Sequence, residues 1–260
     1  MSPGGEGKIG GVSAVPGLEA LDHTGLEAVS LDVGGVLVVP DQDLLAGALG
    51  RAGVAHDPSR FTEGHYRAMA EVDRCMSVPE EFTDYHRGFL RAVGTPDSQL
   101  EAGAAALSLV LVPSIWHQRL PGAVEAARRL AAAGWRLAVT SNADGTVADL
   151  LRRHEVAQVG AGPGVAVEHI TDSGVLGTAK PDPAMFLATA AGLGLPPERI
   201  CHIGDSGYYD AEGAAAVGMV PVHVDPLGLC AGDHHHAVGL ADLADRLAGH
   251  PNGRGGGPGD

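Results

Sequence analysis

Lysine is almost missing from this chain. Its 17 basic residues include only two lysines, Lys8 and Lys180, and they face 32 acidic residues, leaving a formal net charge of -15. A surface of that sign repels nucleic acid and anionic membranes, so neither is an expected partner. Aromatic residues are also scarce, at 4%, so the core must rest on aliphatic side chains and close backbone packing. The three cysteines, Cys75, Cys201 and Cys230, are an odd number, and no pair has metal-ligand spacing. That argues against a disulfide framework and fits a reduced, cytoplasmic setting. No apolar run is long enough to span a bilayer. The first 25 residues lack the basic start and apolar stretch of a signal peptide. Residues 1–25 and 249–260, rich in Gly and polar residues, read as flexible tails.

With 260 residues, 45% of them hydrophobic, the chain can form one core, or one core plus a smaller insert. Short apolar runs at 28–31, 136–140, 200–203 and 220–224 read as strands. The first is expected to continue through Val36 to Val39 and stop at Pro40. Pro221 suggests that the strand carrying it lies at a sheet edge. Helical patterns lie between these runs. Ala123, Ala127 and Leu130 share one face. Asp182 and Pro183 make an N-cap and a first helical position ahead of Phe186, Ala190 and Leu193. An Ala-rich helix is expected over 210–217. Strand–helix alternation of this kind predicts a Rossmann-like, doubly wound parallel sheet. From 41 to 115 only helical patterns occur, with Leu44, Leu45 and Leu49 on one face and Phe89, Leu90 and Val93 on another. The expected organisation is therefore an α/β core over 26–40 and 116–248, with a small α-helical cap over 41–115.

Four short motifs stand out, three of them at strand ends, where open α/β sheets place their ligand crevice. Asp32-Val33-Gly34-Gly35 puts a carboxylate beside backbone that can closely approach a ligand, or else caps a turn. Thr140-Ser141-Asn142 offers a hydroxyl and an amide to phosphate oxygens, or else starts a helix. Lys180, in Ala-Lys-Pro-Asp-Pro, is the only lysine outside the first residues, and a compact point charge suits a tight anion site better than the planar fork of Arg. Gly204-Asp205 through Asp210 sets two carboxylates around a glycine-containing loop, hard oxygen donors of the kind magnesium takes.

In order, these motifs resemble the four motifs of the haloacid-dehalogenase-like superfamily, over residues 28–39 and 121–224. The insert resembles that superfamily's helical cap by position and length. The resemblance implies a magnesium-dependent phosphohydrolase acting on a small phosphate ester, such as a sugar phosphate or nucleoside monophosphate. Asp32 would attack phosphorus and form an aspartyl-phosphate. Ser141 and Lys180 would serve catalysis, and both would bind phosphate together with Gly35 and Asn142. Mg2+ would be held by Asp32, the carbonyl of Gly34, Asp205 and Asp210. The metal and Lys180 would then supply the positive charge that the rest of the surface lacks.

One position departs from the pattern. Phosphatases of this superfamily usually carry a second Asp two residues after the nucleophile, as general acid and base. Here that position is Gly34, and such help is typically worth ~10²–10⁴ in rate. Asp41, Asp43, His65, His86 or His117 would replace it, or the substrate carries a leaving group that needs no proton, or the protein binds without turnover. A halide-releasing hydrolase is a further alternative, disfavoured by the two acids at the fourth motif. A Schiff-base phosphonate enzyme is disfavoured because the insert has no lysine. The run His234-His235-His236 falls in an expected loop over 231–237 and reads as a solvated loop or a metal site. His202 and His223 lie in strands and read as packed or hydrogen-bonded. Trp116 and Trp135 read as core or hinge residues, and Tyr208 and Tyr209 as packing or substrate contacts.

Overall fold

The computed structural model describes residues 15–75 and 83–249. In chain order the core begins with β1 (Ala28–Leu31) and β2 (Val38–Pro40). Helices α1 (Gln42–Arg51), α2 (Phe61–Cys75), α3 (Thr83–Ala92) and α4 (Leu100–Ser108) follow. The chain returns through β3 (Trp116–Arg119), α5 (Ala123–Ala132), β4 (Arg136–Ser141) and α6 (Val147–Arg153). It continues with β5 (Ala157–Val159), β6 (Val165–Val167), β7 (His169–Asp172), α7 (Ser173–Leu176) and α8 (Pro183–Leu193). The last elements are β8 (Ile200–Gly204), α9 (Gly213–Ala216), β9 (Val220–Val224), β10 (His235–Ala237) and α10 (Leu240–Ala248).

Six strands form the main sheet in the order β10-β9-β8-β1-β4-β7, all parallel. Period-2 alternation decides its two faces. Val29, Leu31, Leu137, Val139, Cys201 and Ile203 point to the side covered by α5 and α10. Ala28, Ala138 and Ile200 point to the other side, against Met185, Phe186 and Ala190 of α8 and Ala214 of α9. The sheet order reverses at β1, so the carboxyl ends of β1, β4 and β8 open into one crevice. Helices α1–α4 close a separate apolar cluster around Leu49, Phe61, Tyr85, Phe89 and Leu107.

Several expectations need correction. The apolar run after Asp32 does not continue β1. It turns at Gly34–Gly35 and pairs as β2 with β3 in an antiparallel ribbon at the base of the insert. Pro221 lies inside the sheet, because β10 pairs beyond β9. The proline is tolerated there because β10 reaches only Val222 to Val224. Leu44 is exposed while Leu45 and Leu49 are buried, since the inward face of α1 follows the i, i+4 pair. The tail assigned to 1–25 is too long. Leu18 and Leu21 are buried in the core, and Gly17 bridges to His236. The expected helix over 210–217 begins instead as a π-helical turn, Gly207–Glu212, before α9. Such turns recur at functional sites. The supposed loop at 231–237 contains strand β10. Residues 1–14 and 250–260 lie outside the described residues.

Candidate active site

Backbone pairing places the motifs side by side. Leu31 is level with Val139 of β4 and Ile203 of β8, and the Asp32 amide donates to the Ile203 carbonyl at 2.9 Å. Asp32 therefore leaves the central strand just where Asp205 leaves β8 and Ser141 ends β4. The carboxylates of Asp32, Asp205 and Asp210 are all buried, and each presents an oxygen within 4.8 Å of the others.

Lys180 lies among them. Its Nζ is 2.7 Å from Asp32 Oδ1 and 2.6 Å from Asp210 Oδ1. Burial pushes the Asp32 carboxyl up, with Asp210 and Asp205 adding to the rise and Lys180 opposing it; the outcome is about 7. Burial acts the same way on Asp210, but Lys180 and a hydrogen bond from His202 outweigh it and hold that carboxyl well below its ordinary value. Asp210 is also the better satisfied of the two. Its Oδ1 meets Lys180 and His202, and its Oδ2 accepts from the Ser206 amide at 3.2 Å. The Asn142 side chain braces this arrangement rather than facing the crevice. It accepts from the Lys180 amide at 2.7 Å and donates to the Lys180 carbonyl at 3.1 Å. Both ends of its side-chain amide are thus tied to the Lys180 backbone, with one N–H of Nδ2 left over.

Gly35, expected among the phosphate-binding groups, is corrected, because both of its polar groups are used within the protein. Its amide donates to the Val38 carbonyl at 2.8 Å and its carbonyl accepts from the Tyr66 hydroxyl at 2.8 Å. It supplies space instead: its φ is +62°, and a Cβ there would overlap Asp205 Oδ2. Gly35→Ala is expected to cost about 1–3 kcal/mol of stability and to push Asp205 off its position. Urea denaturation checks this, and an unchanged midpoint would contradict it. Gly34 is crowded differently. A Cβ at Gly34 would lie 3.0 Å from the Trp116 ring, so the indole fills the room that a second acid would need.

Of the five candidates to replace that acid, the structure brings His65 to the carboxylates. Its Nε2 is 2.7 Å from Asp205 Oδ2, and its Nδ1 meets the Tyr85 hydroxyl at 2.9 Å. Asp41 caps α1 through the Leu44 amide and lies 3.8 Å from His117, which stacks on His154. Asp43 is exposed. His86 packs edge-on against Tyr85. Helix α2 makes two more contacts with the core. Tyr66 reaches Gly35, and Asp73 accepts from the Ser206 hydroxyl and from the amides of Gly207 and Tyr208. Tyr209 packs against the insert's apolar cluster.

A buried polar chain runs behind Asp210 on the α8 face of the sheet. His202 Nδ1 lies 3.0 Å from the Ser30 hydroxyl, which shares a 2.8 Å hydrogen bond with Thr140. The chain continues to Thr189 at 2.6 Å and on to Thr171 at 2.7 Å. Sequence reading missed it. The available signal was parity: Ser30, Thr140 and His202 break otherwise apolar strands on the same face.

The donor set suits a hard divalent cation. Three buried carboxylates face one lysine. Asp205 Oδ2 and His65 Nε2, although 2.7 Å apart, do not reach hydrogen-bond geometry, so both are buried without a hydrogen-bond partner. A buried unsatisfied oxygen carries a desolvation penalty that a cation removes.

A model of the haloacid dehalogenase-like hydrolases matches residues 26–218. The chain belongs to this hydrolase family. It is 36% identical over 107 residues to haloacid dehalogenase-like hydrolase domain-containing protein 3 of Bos taurus, covering 41% of this chain and 39% of that protein. The Mus musculus counterpart is 31% identical over 131 residues, covering 50% and 49%. The chain thus spans less than half the length of either curated relative. Among solved structures, a dehalogenase superposes with a TM-score of 0.53 at 20% identity, covering 86% of this chain and 97% of the other. A phosphatase of this family from Thermococcus onnurineus superposes at 0.52 and 17% identity, covering 87% and 100%. These two establish a shared fold, and phosphatase and dehalogenase fit it equally well. Among the described residues no helix is long and apolar enough to cross a membrane.

Proposed function

We propose that this hydrolase is a magnesium-dependent phosphatase of small phosphorylated metabolites, such as sugar phosphates or nucleoside monophosphates. The observation that carries the reading is the buried trio of Asp32, Asp205 and Asp210, with an unsatisfied oxygen on Asp205. A halide-releasing reaction would use Asp32 as nucleophile but needs no cation, so it would leave the paired acids Asp205 and Asp210 without a charge to hold. Asp32, Asp205 and the Gly34 carbonyl would hold the cation, and Asp210 would act through Lys180. Magnesium, when bound, neutralises phosphate oxygens as charge develops on them. Asp32 attacks phosphorus and carries the phosphoryl group as an aspartyl-phosphate. Lys180 favours the ionised form of the nucleophile against the effect of burial and offsets charge in the transition state. Ser141, buried at the end of β4, orients the transferring group. His65 protonates the leaving oxygen in place of the acid absent at Gly34, then takes a proton from the attacking water.

The test is release of phosphate from a panel of sugar phosphates, nucleoside monophosphates and an aryl phosphate, with magnesium and with chelator, beside halide release from 2-haloacids. Magnesium-dependent phosphate release supports the reading. Chelator-resistant halide release, or no turnover of any compound, overturns it. In the same assay His65→Gln is expected to slow alkyl esters by ~10²–10⁴ and the aryl ester far less, because only the alkyl leaving group needs the proton. Equal losses on both would assign His65 to binding alone.

A further inference from the structure

A second cluster of chemistry-bearing side chains lies beside the carboxylates and takes no part in the reaction just described. His223 on β9, Cys230 in the following loop, and His234 and His236 at β10 each present a ligand atom, all within 4.8 Å of one another. The arrangement is built by the fold. His223 and His236 are register partners on adjacent parallel strands. His234 and His236, two residues apart, project to the same face and stack with ring centres 4.6 Å apart. The Asp225 carboxylate accepts from the amides of Leu229 and Cys230, which folds the loop back and delivers the thiol. We infer that these four side chains hold a zinc ion in a closed tetrahedral site.

Distances support zinc. Bonds of about 2.0–2.1 Å to nitrogen and about 2.3 Å to sulfur put tetrahedral N···N edges at about 3.4 Å and N···S edges at about 3.6 Å. His223 Nδ1 is 3.2 Å from His234 Nε2, and Cys230 Sγ is 3.6 Å from the same nitrogen. A mixed imidazole–thiolate set is what zinc takes, and it is too soft for magnesium. The surrounding contacts have the form that orients metal-bound histidines. His223 turns its other nitrogen, Nε2, to the Asp205 carbonyl at 3.2 Å. His236 has Asp225 Oδ2 3.5 Å from its Nδ1, and its Nε2, which would turn to the ion, lies 3.3 Å from the Gly232 carbonyl. Four protein ligands leave no open position, so the ion is structural. It ties the loop after β9 to β9 itself and to the edge strand β10 and, through His223, to the backbone of Asp205. The site thus forms one wall of a cavity of about 630 Å³ that also touches Tyr66, Asp73, Asp205 and Tyr208.

The test uses tag-free full-length protein, stripped with chelator, reloaded with zinc or cobalt, and passed through gel filtration. The expected result is about one zinc per chain by elemental analysis, with a raised melting temperature that magnesium does not reproduce. Cobalt should give the intense visible bands of a tetrahedral ion and a thiolate charge-transfer band. Cys230→Ser and His234→Ala should each bring zinc to background, while Cys75→Ser and Asp205→Asn retain it. Should the Cys230 or His234 variants not fold, the cobalt spectrum of Cys75→Ser decides alone, since Cys230 is then the thiol in reach. Wild-type protein that keeps no zinc after reloading overturns the site. So does zinc undiminished in both variants, or a weak octahedral cobalt spectrum.

Discussion

Replacing Asp32 with Asn is expected to lower turnover by at least ~10⁴-fold while leaving the fold intact or slightly more stable. The first half follows from chemistry. An amide cannot form the phosphoryl intermediate, and loss of a nucleophile removes most of a catalytic unit's rate advantage. The second half follows from burial. Its surroundings raise the Asp32 carboxyl to about 7, so near neutral pH the folded state pays for ionising it. The neutral amide has the same shape and avoids that cost, and Lys180 keeps Asp210 as its partner. Single-turnover phosphate release and thermal unfolding check the two halves separately. Activity above a tenth of wild type would place the nucleophile elsewhere. A marked loss of stability would mean that the ionised carboxylate holds the fold together.

Lys180→Met should have the largest effect on stability, about 3–5 kcal/mol in urea with chelator present. The methionine fills similar volume, but it leaves Asp32 and Asp210 facing each other and Asp205 without their shared cation. The pH dependence has a definite sign. A carboxyl whose folded value is raised binds more protons folded than unfolded, so stability falls as pH rises from the unfolded value through the folded one. In the parent protein that decline ends near 7, the value for Asp32. Without the lysine, which pulls it down, the Asp32 value rises further and the decline continues. The deficit should therefore be largest above pH 7 and smaller at pH 5.5. A deficit independent of pH would indicate lost packing rather than lost charge compensation.

Strand ends carried most of the legible information. Asp32, Ser141 and Asp205 stand out in the sequence because each ends an apolar run, and parallel strands in register bring such positions together; Lys180 stands out by the scarcity of lysine and Asp210 by its spacing from Asp205. Three kinds of feature were not legible. The first was anything supplied by the insert: helical periodicity puts His65, Tyr66 and Asp73 on α2 but cannot say which strand end that helix meets. The second was whether a polar group is already engaged. Asn142 and Gly35 carry the right groups at the right positions, yet Lys180 and Val38 use them. The third was the fate of short, polar strands. Residues 116–119 and 235–237 lack apolar alternation, so β3 and β10 become strands only through their partners, and with β10 the histidine run becomes an ordered face.

The contacts of α2 have a consequence for timing. His65, Tyr66 and Asp73 lie on one helix, and they touch respectively Asp205, the Gly35 carbonyl and the turn after Asp205. Any motion of the insert wide enough to admit a substrate must release all three together, because one helix carries them. Under the proposed function the molecule would then have two working conditions: one accessible, and one with His65, the loop after Asp32 and the turn after Asp205 all in place. In the proposed reaction, water entering with the insert open would meet a site without His65, so the motion that governs access would also suppress idle hydrolysis of the aspartyl-phosphate.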